Sequence, residues 1–188
     1  MNLILLTTTQ RVKDNSSIQN NVDDKLIAPY IKKAQFTHIH QLLGTKLYEK
    51  VLSDVETGTL TGNYKILVDR YVTPCLIEWT VYEVMPFISL KLDNKSISKG
   101  KSDYSDAGDL NDLKYLRQTV RDLALFYNQR IIDYLKTNTS LFQEYLTNSN
   151  LDEIKPTNRT NMIGGVYLGD GGRSKCDFGL GDKNINLI

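Results

Sequence analysis

Apolar residues recur at every third or fourth position through most of residues 20–150, which is the spacing of an amphipathic helix. Asn20 or Asn21 is predicted to cap the first helix, and Pro29 is expected either to kink it or to mark its true start. Gly44 follows the last apolar residues of this run, in the position typical of a C-cap. A second, shorter helix is predicted over residues 45–55.

Two longer helices are predicted further along the chain. One begins near Asn63 and continues into residues 75–92, which are apolar on nearly every side and indicate a central, buried helix that Pro74 and Pro86 bend or end. The next is capped by Asp109. One apolar side of this helix is predicted from Leu113, Leu116, Val120, Leu123, Tyr127, Ile131 and Tyr134 or Leu135, and its solvated polar face from Lys114, Arg117 and Arg121.

A short helix and a small hairpin complete the predicted fold. A short fifth helix is expected around residues 141–146, and residues 88–99 are the one candidate for a small β-hairpin, with a turn at 93–95. The sequence therefore predicts a mainly α protein: a compact bundle of four to five helices, with the small hairpin and a long, extended C-terminal arm.

The arm is predicted from a change of composition near Pro156. Seven of the 12 glycines fall between Gly164 and Gly181, and each glycine inside a helix costs about 1 kcal/mol. We therefore divide the chain into a helical body, 1–155, and an arm, 156–188, which could span roughly 110 Å if extended. Ten apolar residues make this arm a candidate binding segment and argue against a flexible terminus without a partner: Met162, Ile163, Val166, Tyr167, Leu168, Phe178, Leu180, Ile185, Leu187 and Ile188.

Charge and hydropathy exclude several classes of protein. The 188 residues include 23 Lys and Arg against 22 Asp and Glu, a balance of +1 that argues against a dedicated nucleic-acid binder. No apolar run approaches the roughly 20 residues that span a bilayer, and the first residues lack the pattern of a signal peptide. We therefore expect a soluble protein made inside the cell, without a membrane partner.

Charge is nevertheless segregated in the middle of the chain. Residues 91–101 contain four lysines against one aspartate, and residues 103–112 contain four aspartates and no base. One interpretation is a solvated loop followed by a helix start, which favours acids. The other is a polar contact surface whose basic and acidic ends pair across a subunit interface. Its candidate residues are Lys91, Lys95, Lys99, Lys101, Asp103 and Asp106.

Residues that could support catalysis are sparse. His38 and His40 lie two apart on a predicted helix and so point about 200° apart, which excludes a shared metal and favours a structural role for His38. Cys75 is expected to be a buried thiol, and Cys176 is expected to have no specific role.

The glycine-rich segment Gly169–Arg173 does not match a phosphate-binding loop, because it lacks the flanking strand, the following helix and the lysine of such a loop. No catalytic residue, cofactor or metal is predicted, although a carboxylate site built from distant residues stays open.

The order of short motifs along residues 3–150 resembles a known family. The motifs are Val22-Asp23-Asp24-Lys25-Leu26, Leu42-Leu43-Gly44-Thr45-Lys46-Leu47-Tyr48, Pro74-Cys75-Leu76-Ile77, Met85-Pro86-Phe87, Asp93-Asn94-Lys95, Lys114-Tyr115-Leu116-Arg117 and Phe126-Tyr127. In this order the sequence resembles the head–tail connector (adaptor) proteins of tailed bacteriophages, particularly those from phages of gut Bacteroidetes, including crAss-like phages.

The resemblance implies a structural role in the virion. Members of that family are small helical subunits that form a ring, usually of about twelve copies, beneath the portal; closed rings arise from heterologous contacts between copies. Such a ring extends the DNA channel and docks neck and tail components. The implied partners are further copies of this chain, the portal, neck and tail proteins, and DNA passing through the channel. The implied location is the portal vertex, after synthesis in the host cytoplasm.

Three alternatives remain beside the adaptor. A stopper or other neck or tail-completion protein would be richer in strands. A small helical DNA-binding regulator would bind DNA in a salt-sensitive manner. An enzyme would present a deep acidic pocket within one subunit.

Overall fold

The computed structural model describes residues 4–93, 96–99, 110–147 and 154–157, and these residues are mainly helical, as the sequence predicts. The α-helices of this part are α1 (Thr9–Asp14), α2 (Asp24–Ala34), α3 (His40–Leu43), α4 (Thr45–Glu56), α5 (Gly62–Leu67), α6 (Thr73–Ser89), α7 (Leu110–Thr137) and α8 (Gln143–Leu146). π-Helical turns at Gln35–Ile39 and Val68–Val72 join α2 to α3 and α5 to α6, and a 3-10 turn, Thr139–Leu141, precedes α8. Strands β1 (Leu90–Asp93) and β2 (Ser96–Lys99) pair antiparallel, with Leu90 opposite Lys99.

The helix starts near the N-terminus differ from the sequence prediction. The Asp23 carboxylate accepts a hydrogen bond from the Lys25 amide at 2.9 Å and caps α2, so the predicted cap at Asn20 or Asn21 is wrong. Asp23 provides the same type of oxygen acceptor two or three residues later. The helix begins at Asp24 and continues through Pro29, which does not mark its start.

The predicted central helix is confirmed as α6 for residues 75–89, whereas residues 90–92 of the predicted stretch belong to β1. Cys75, Leu76, Trp79 and Val84 are buried, and the helix packs against α2 on one side and α7 on another. It begins one residue before Pro74 and ends three residues after Pro86, so both prolines lie near its ends. This position is consistent with proline's inability to donate the backbone hydrogen bond of a helix interior.

The helix α7 runs antiparallel to α6 and is held to it by one buried amide. The Asn128 Oδ1 atom accepts a hydrogen bond from the Trp79 indole at 2.9 Å and from the Cys75 thiol at 3.0 Å. Nearer the start of α7, the Arg117 guanidinium carbon lies 4.1 Å from the centre of the Tyr82 ring. These contacts fix which side of α7 faces the core.

The side of α7 that faces the core overlaps only in part with the one that the apolar spacing predicts. Of the predicted residues, Ile131 and Leu135 are buried and Val120, Tyr127 and Tyr134 pack against the core. Ala124, Ile131 and Leu135 are fully buried, whereas Leu116 and Leu123 are 54% and 42% exposed. The prediction treated every apolar residue at helical spacing as core. Because Asn128 and Arg117 satisfy groups on α6, polar residues of α7 occupy part of the packed side and two leucines remain outside.

A buried glutamine ties the N-terminal segment to the bundle. The Gln35 side chain accepts a hydrogen bond from the Leu6 amide at 2.9 Å and donates to the Ile4 carbonyl at 3.2 Å and to the Tyr48 hydroxyl at 2.9 Å. All hydrogen-bonding groups of a buried amide need partners, and here they come from two separate segments, the N-terminal residues 4–6 and α4.

The junction between α3 and α4 binds the last described residues of the chain. Gly44 has φ of 75°, confirming its role as a C-cap, and a Cβ at this position would lie 2.7 Å from Pro156. The Ile154 carbonyl accepts from the Thr45 amide at 3.0 Å, and the Thr157 amide donates to the Gln41 carbonyl at 2.8 Å. Residues 154–157 are therefore attached to the body, and the remainder of the predicted arm, 158–188, lies outside the described residues.

We predict that Gly44→Ala destabilises the protein by about 3 kcal/mol, because it combines left-handed backbone strain with a collision against Pro156. The matched control is Gly58→Ala. Gly58 also has positive φ, 69°, but open space around it, and its replacement should cost only about 1 kcal/mol. Urea unfolding measures both losses, and equal losses in the two variants would contradict the role of Pro156.

Candidate assembly interface

The two histidines lie in separate structural environments, as the sequence predicts. The His38 ring stacks on Trp79 with centroids 3.6 Å apart, and its Nε2 lies 3.2 Å from a Glu83 carboxylate oxygen. The His40 ring is buried, stacks on Tyr48 and places its Nε2 3.0 Å from the Thr45 hydroxyl. Both side chains are held by packing within the bundle.

The electrostatics of the His38 site follow from its burial. Burial lowers the pKa of His38, and this effect exceeds the opposing influence of the Glu83 carboxylate. Burial raises the pKa of Glu83, but the hydrogen bonds from Lys33 and His38 outweigh burial and lower it overall. The Lys33 ammonium lies 2.7 Å from the other Glu83 oxygen. The arrangement is a partly buried ion pair with a neutral imidazole beside it.

The predicted burial of Cys75 is confirmed. The residue is completely inaccessible, and burial, followed by the nearby Glu78 charge, raises the pKa of its thiol. A thiol held in the protonated form is a poor nucleophile. Within the described ranges, no group of three or more His, Cys, Asp or Glu side chains is arranged to hold a metal ion, and no helix there could span a membrane.

Few of the contact residues predicted from the sequence fall in the described part of the chain. Lys91 lies on β1 opposite Ser98, and Lys99 lies on β2 opposite Leu90, so the two lysines occupy neighbouring positions of the antiparallel ladder. The other predicted contact residues lie outside the described residues: Lys95, Lys101, Asp103, Asp106, Met162, Ile163, Val166, Tyr167, Leu168, Phe178, Leu180, Ile185, Leu187 and Ile188. Charge pairing across an interface stays a prediction.

An exposed apolar face on α7 is the candidate surface that the sequence analysis missed. Tyr115, Leu116, Leu123 and Phe126 are 74%, 54%, 42% and 50% exposed. We call these four residues the α7 face. At about 100° and 1.5 Å per residue, they lie within about 100° of arc and about 17 Å of helix length. Apolar spacing alone does not predict this face, because it assigns Leu116 and Leu123 to the side of α7 that packs on the core.

A groove adjoins the α7 face. It has a volume of about 580 Å³ and lies between the α1–α2 connection, α6 and α7. Val81, Val84 and Ile88 line it from α6, and Leu116 and Val120 from α7. Leu116 belongs to both features, so the exposed apolar surface continues from the helix into the groove.

The fold and these surfaces describe a mainly helical protein with an apolar face of a kind found at protein contacts. The chain belongs to the DUF6712 family, a family of unknown function, whose model matches residues 39–154. The match begins at the end of the first π-helical turn and ends at the segment that binds Thr45. No curated protein and no solved structure matches the chain.

We predict that acid destabilises the wild-type protein through His38. A histidine whose pKa is lowered by folding binds its proton more readily when unfolded, so its contribution to stability is lost as the pH falls below about 6.5. His38→Gln should therefore show a smaller loss of melting temperature between pH 7 and pH 5 than the wild type. Equal losses in the two proteins would mean that His38 does not titrate within this fold.

Proposed function

We propose that this protein is a subunit of the adaptor ring that joins the portal to the tail in tailed bacteriophages. In this role it binds beneath the portal, extends the DNA channel and docks neck and tail components. The proposal starts from the ordered motifs that resemble the adaptor family. The mainly helical body is the architecture that the resemblance implies, and it favours the adaptor over a strand-rich stopper.

The observation that carries the proposal is the α7 face. Single exposed apolar residues are normal on protein surfaces, but this face has four large ones on one helix, two of them aromatic. Aromatic side chains are enriched in the buried centres of protein interfaces. A ring subunit needs such a surface, which contacts a different surface of the next copy.

Charge favours a second copy of this chain as the occupant of the α7 face. The acidic stretch 103–112 leads directly into α7, and the basic stretch 91–101 precedes it along the chain. Each copy therefore carries a basic stretch and an acidic stretch near the same apolar face. In a head-to-tail arrangement, the basic stretch of one copy can pair with the acidic stretch of the next. Because Arg117 packs on Tyr82, it does not contribute to a continuous basic stripe on α7 that could bind DNA. This contact argues against the DNA-binding regulator.

The C-terminal arm supplies a second contact in this proposal. Ile154 to Thr157 attach the chain to the α3–α4 junction, and the following 31 residues could extend roughly 100 Å from there. Their apolar residues would bind a neighbouring subunit or the portal. The small hairpin, which carries Lys91 on β1 and Lys99 on β2, would form part of the polar contact surface.

The decisive experiment compares assembly with and without the portal of the same phage. Light scattering and electron microscopy should detect a ring when the portal is present. Leu123→Asp should weaken this assembly at least tenfold, since a charge in a desolvated contact is costly. The matched control is Leu141→Asp, because Leu141 is also 42% exposed but lies outside α7. The control should assemble like the wild type.

The outcomes separate the alternatives. A protein that stays monomeric and ignores the portal would contradict the adaptor role. Salt-sensitive binding to duplex DNA by that monomer would support the regulator instead. Equal effects of the two aspartate variants would remove the α7 face from the interface while leaving ring formation to be judged by microscopy.

We further predict that deleting residues 158–188 leaves the body folded, with a melting temperature within about 2 °C of the full chain, but impairs ring assembly. The shorter product that ends at 153 also loses the contacts to Gly44, Thr45 and Gln41 and should be less stable by about 1–3 kcal/mol. Thermal unfolding and light scattering measure the two effects. Normal assembly of the 158–188 deletion would exclude the arm as a contact.

A further inference from the structure

A second pocket, separate from the α7 groove, lies where α1, the second π-helical turn, α6 and α7 meet. Its volume is about 290 Å³. Thr73, Ile77 and Glu78 line it from one side of α6, with Arg11 from α1 and Tyr127 from α7. Asp69, in the π-helical turn, completes its polar lining. π-Helical turns within helices occur frequently at functional sites.

Glu78 is the unusual group in this pocket. Its side chain is partly buried, and no hydrogen bond or ion pair among the described residues includes it. Burial raises the pKa of Glu78, as expected for a carboxylate without a compensating partner. Arg11 does not neutralise it, because the Arg11 guanidinium pairs with Asp69 at 3.6 Å. A carboxylate kept in this position costs stability unless something else binds it.

Thr73 provides an independent indication of a missing partner. The residue is 3% exposed, and its hydroxyl is buried without a hydrogen-bond partner among the described residues. Buried hydroxyls in folded proteins are nearly always paired. Thr73 and Glu78 line the same pocket, and because the Thr73 hydroxyl is not accessible, a ligand bound to Glu78 would pair with it only after a rearrangement of the pocket.

We propose that this pocket binds an organic cation that carries a primary ammonium or guanidinium group. The cation donates hydrogen bonds to the Glu78 carboxylate and lies against the Tyr127 ring, which adds a cation–π attraction. The lining carries one unpaired negative charge, since Asp69 is already paired with Arg11. The pocket does not gather the three acidic or histidine ligands of a metal site within the described part of the chain.

Two sources could supply this chemistry: a free amine, such as a polyamine, or a lysine or arginine side chain of a second copy of the chain. The shared requirement is a positive donor that fits beside Glu78. The inference does not depend on the ring, because the pocket and its unpaired carboxylate belong to one subunit.

The test is a titration of the full-length, isotope-labelled protein with 1,4-diaminobutane at constant ionic strength. Changes in the amide chemical shifts, measured by NMR, report binding. Saturable shifts at Asn15, Ile77, Glu78 and Tyr127 are expected, with no effect of the neutral analogue 1,4-butanediol. Glu78→Gln should weaken binding at least tenfold. It should fold normally, since it removes a partly buried charge. Glu49→Gln, on the exposed surface of α4, should bind like the wild type.

A second measurement distinguishes the sources. If a basic side chain of another copy occupies the pocket, 1,4-diaminobutane and Glu78→Gln should each weaken self-association in light scattering. If the ligand is a free amine, binding should occur with no change in mass. Either result supports the pocket. Shifts that rise linearly without saturating, or that are the same in wild type and Glu78→Gln, would overturn the proposal whether or not the protein forms rings.

Discussion

The burial of α6 is the constraint on which the rest of the structure depends. This helix is apolar on nearly every side, so α2 and α7 must cover it and remove its side chains from water. Its few polar groups then need partners inside the protein. The Asn128 amide provides one for both Trp79 and Cys75, and the Thr80 hydroxyl donates to the Leu76 carbonyl. Together with the apolar contacts, the bonds to Asn128 set the position and rotation of α7.

Both candidate sites are consequences of how α6 is covered. With Asn128 turned inward, Leu116 and Leu123 face outward and join Tyr115 and Phe126 in the α7 face. On α6 itself, Glu78 lies at a place where α1 and α7 meet without providing it a partner. The first feature suits a protein contact and the second a cation. Among the described residues of one subunit, nothing covers the α7 face and nothing pairs with Glu78.

Much of the helical content could be predicted from residues 20–146 because periodicity and caps are local signals. Gly44 was identified from its position alone, and the buried environment of Cys75 from its apolar neighbours. The short helix α1 was missed, since six residues capped by Thr8 carry too little periodicity to detect. The apolar side of α7 was predicted only in part, because Ile131 and Leu135 are buried while Leu116 and Leu123 are exposed. The spacing of the leucines gives no signal of the hydrogen bonds that Asn128 makes with α6. The candidate pocket had no sequence signal, because its residues come from four separate segments.

The sequence by itself determined the helical class, the position of the central helix and the glycine turn before α4, because these depend on residues near one another in the chain. Tertiary structure decided which side of α7 faces outward, how Gln35 joins three segments, and where Glu78 is left without a partner. The physical reason is that a buried polar group must be paired by whatever the fold brings near it. That choice depends on distant residues, and hydrophobic spacing along one helix contains no information about it.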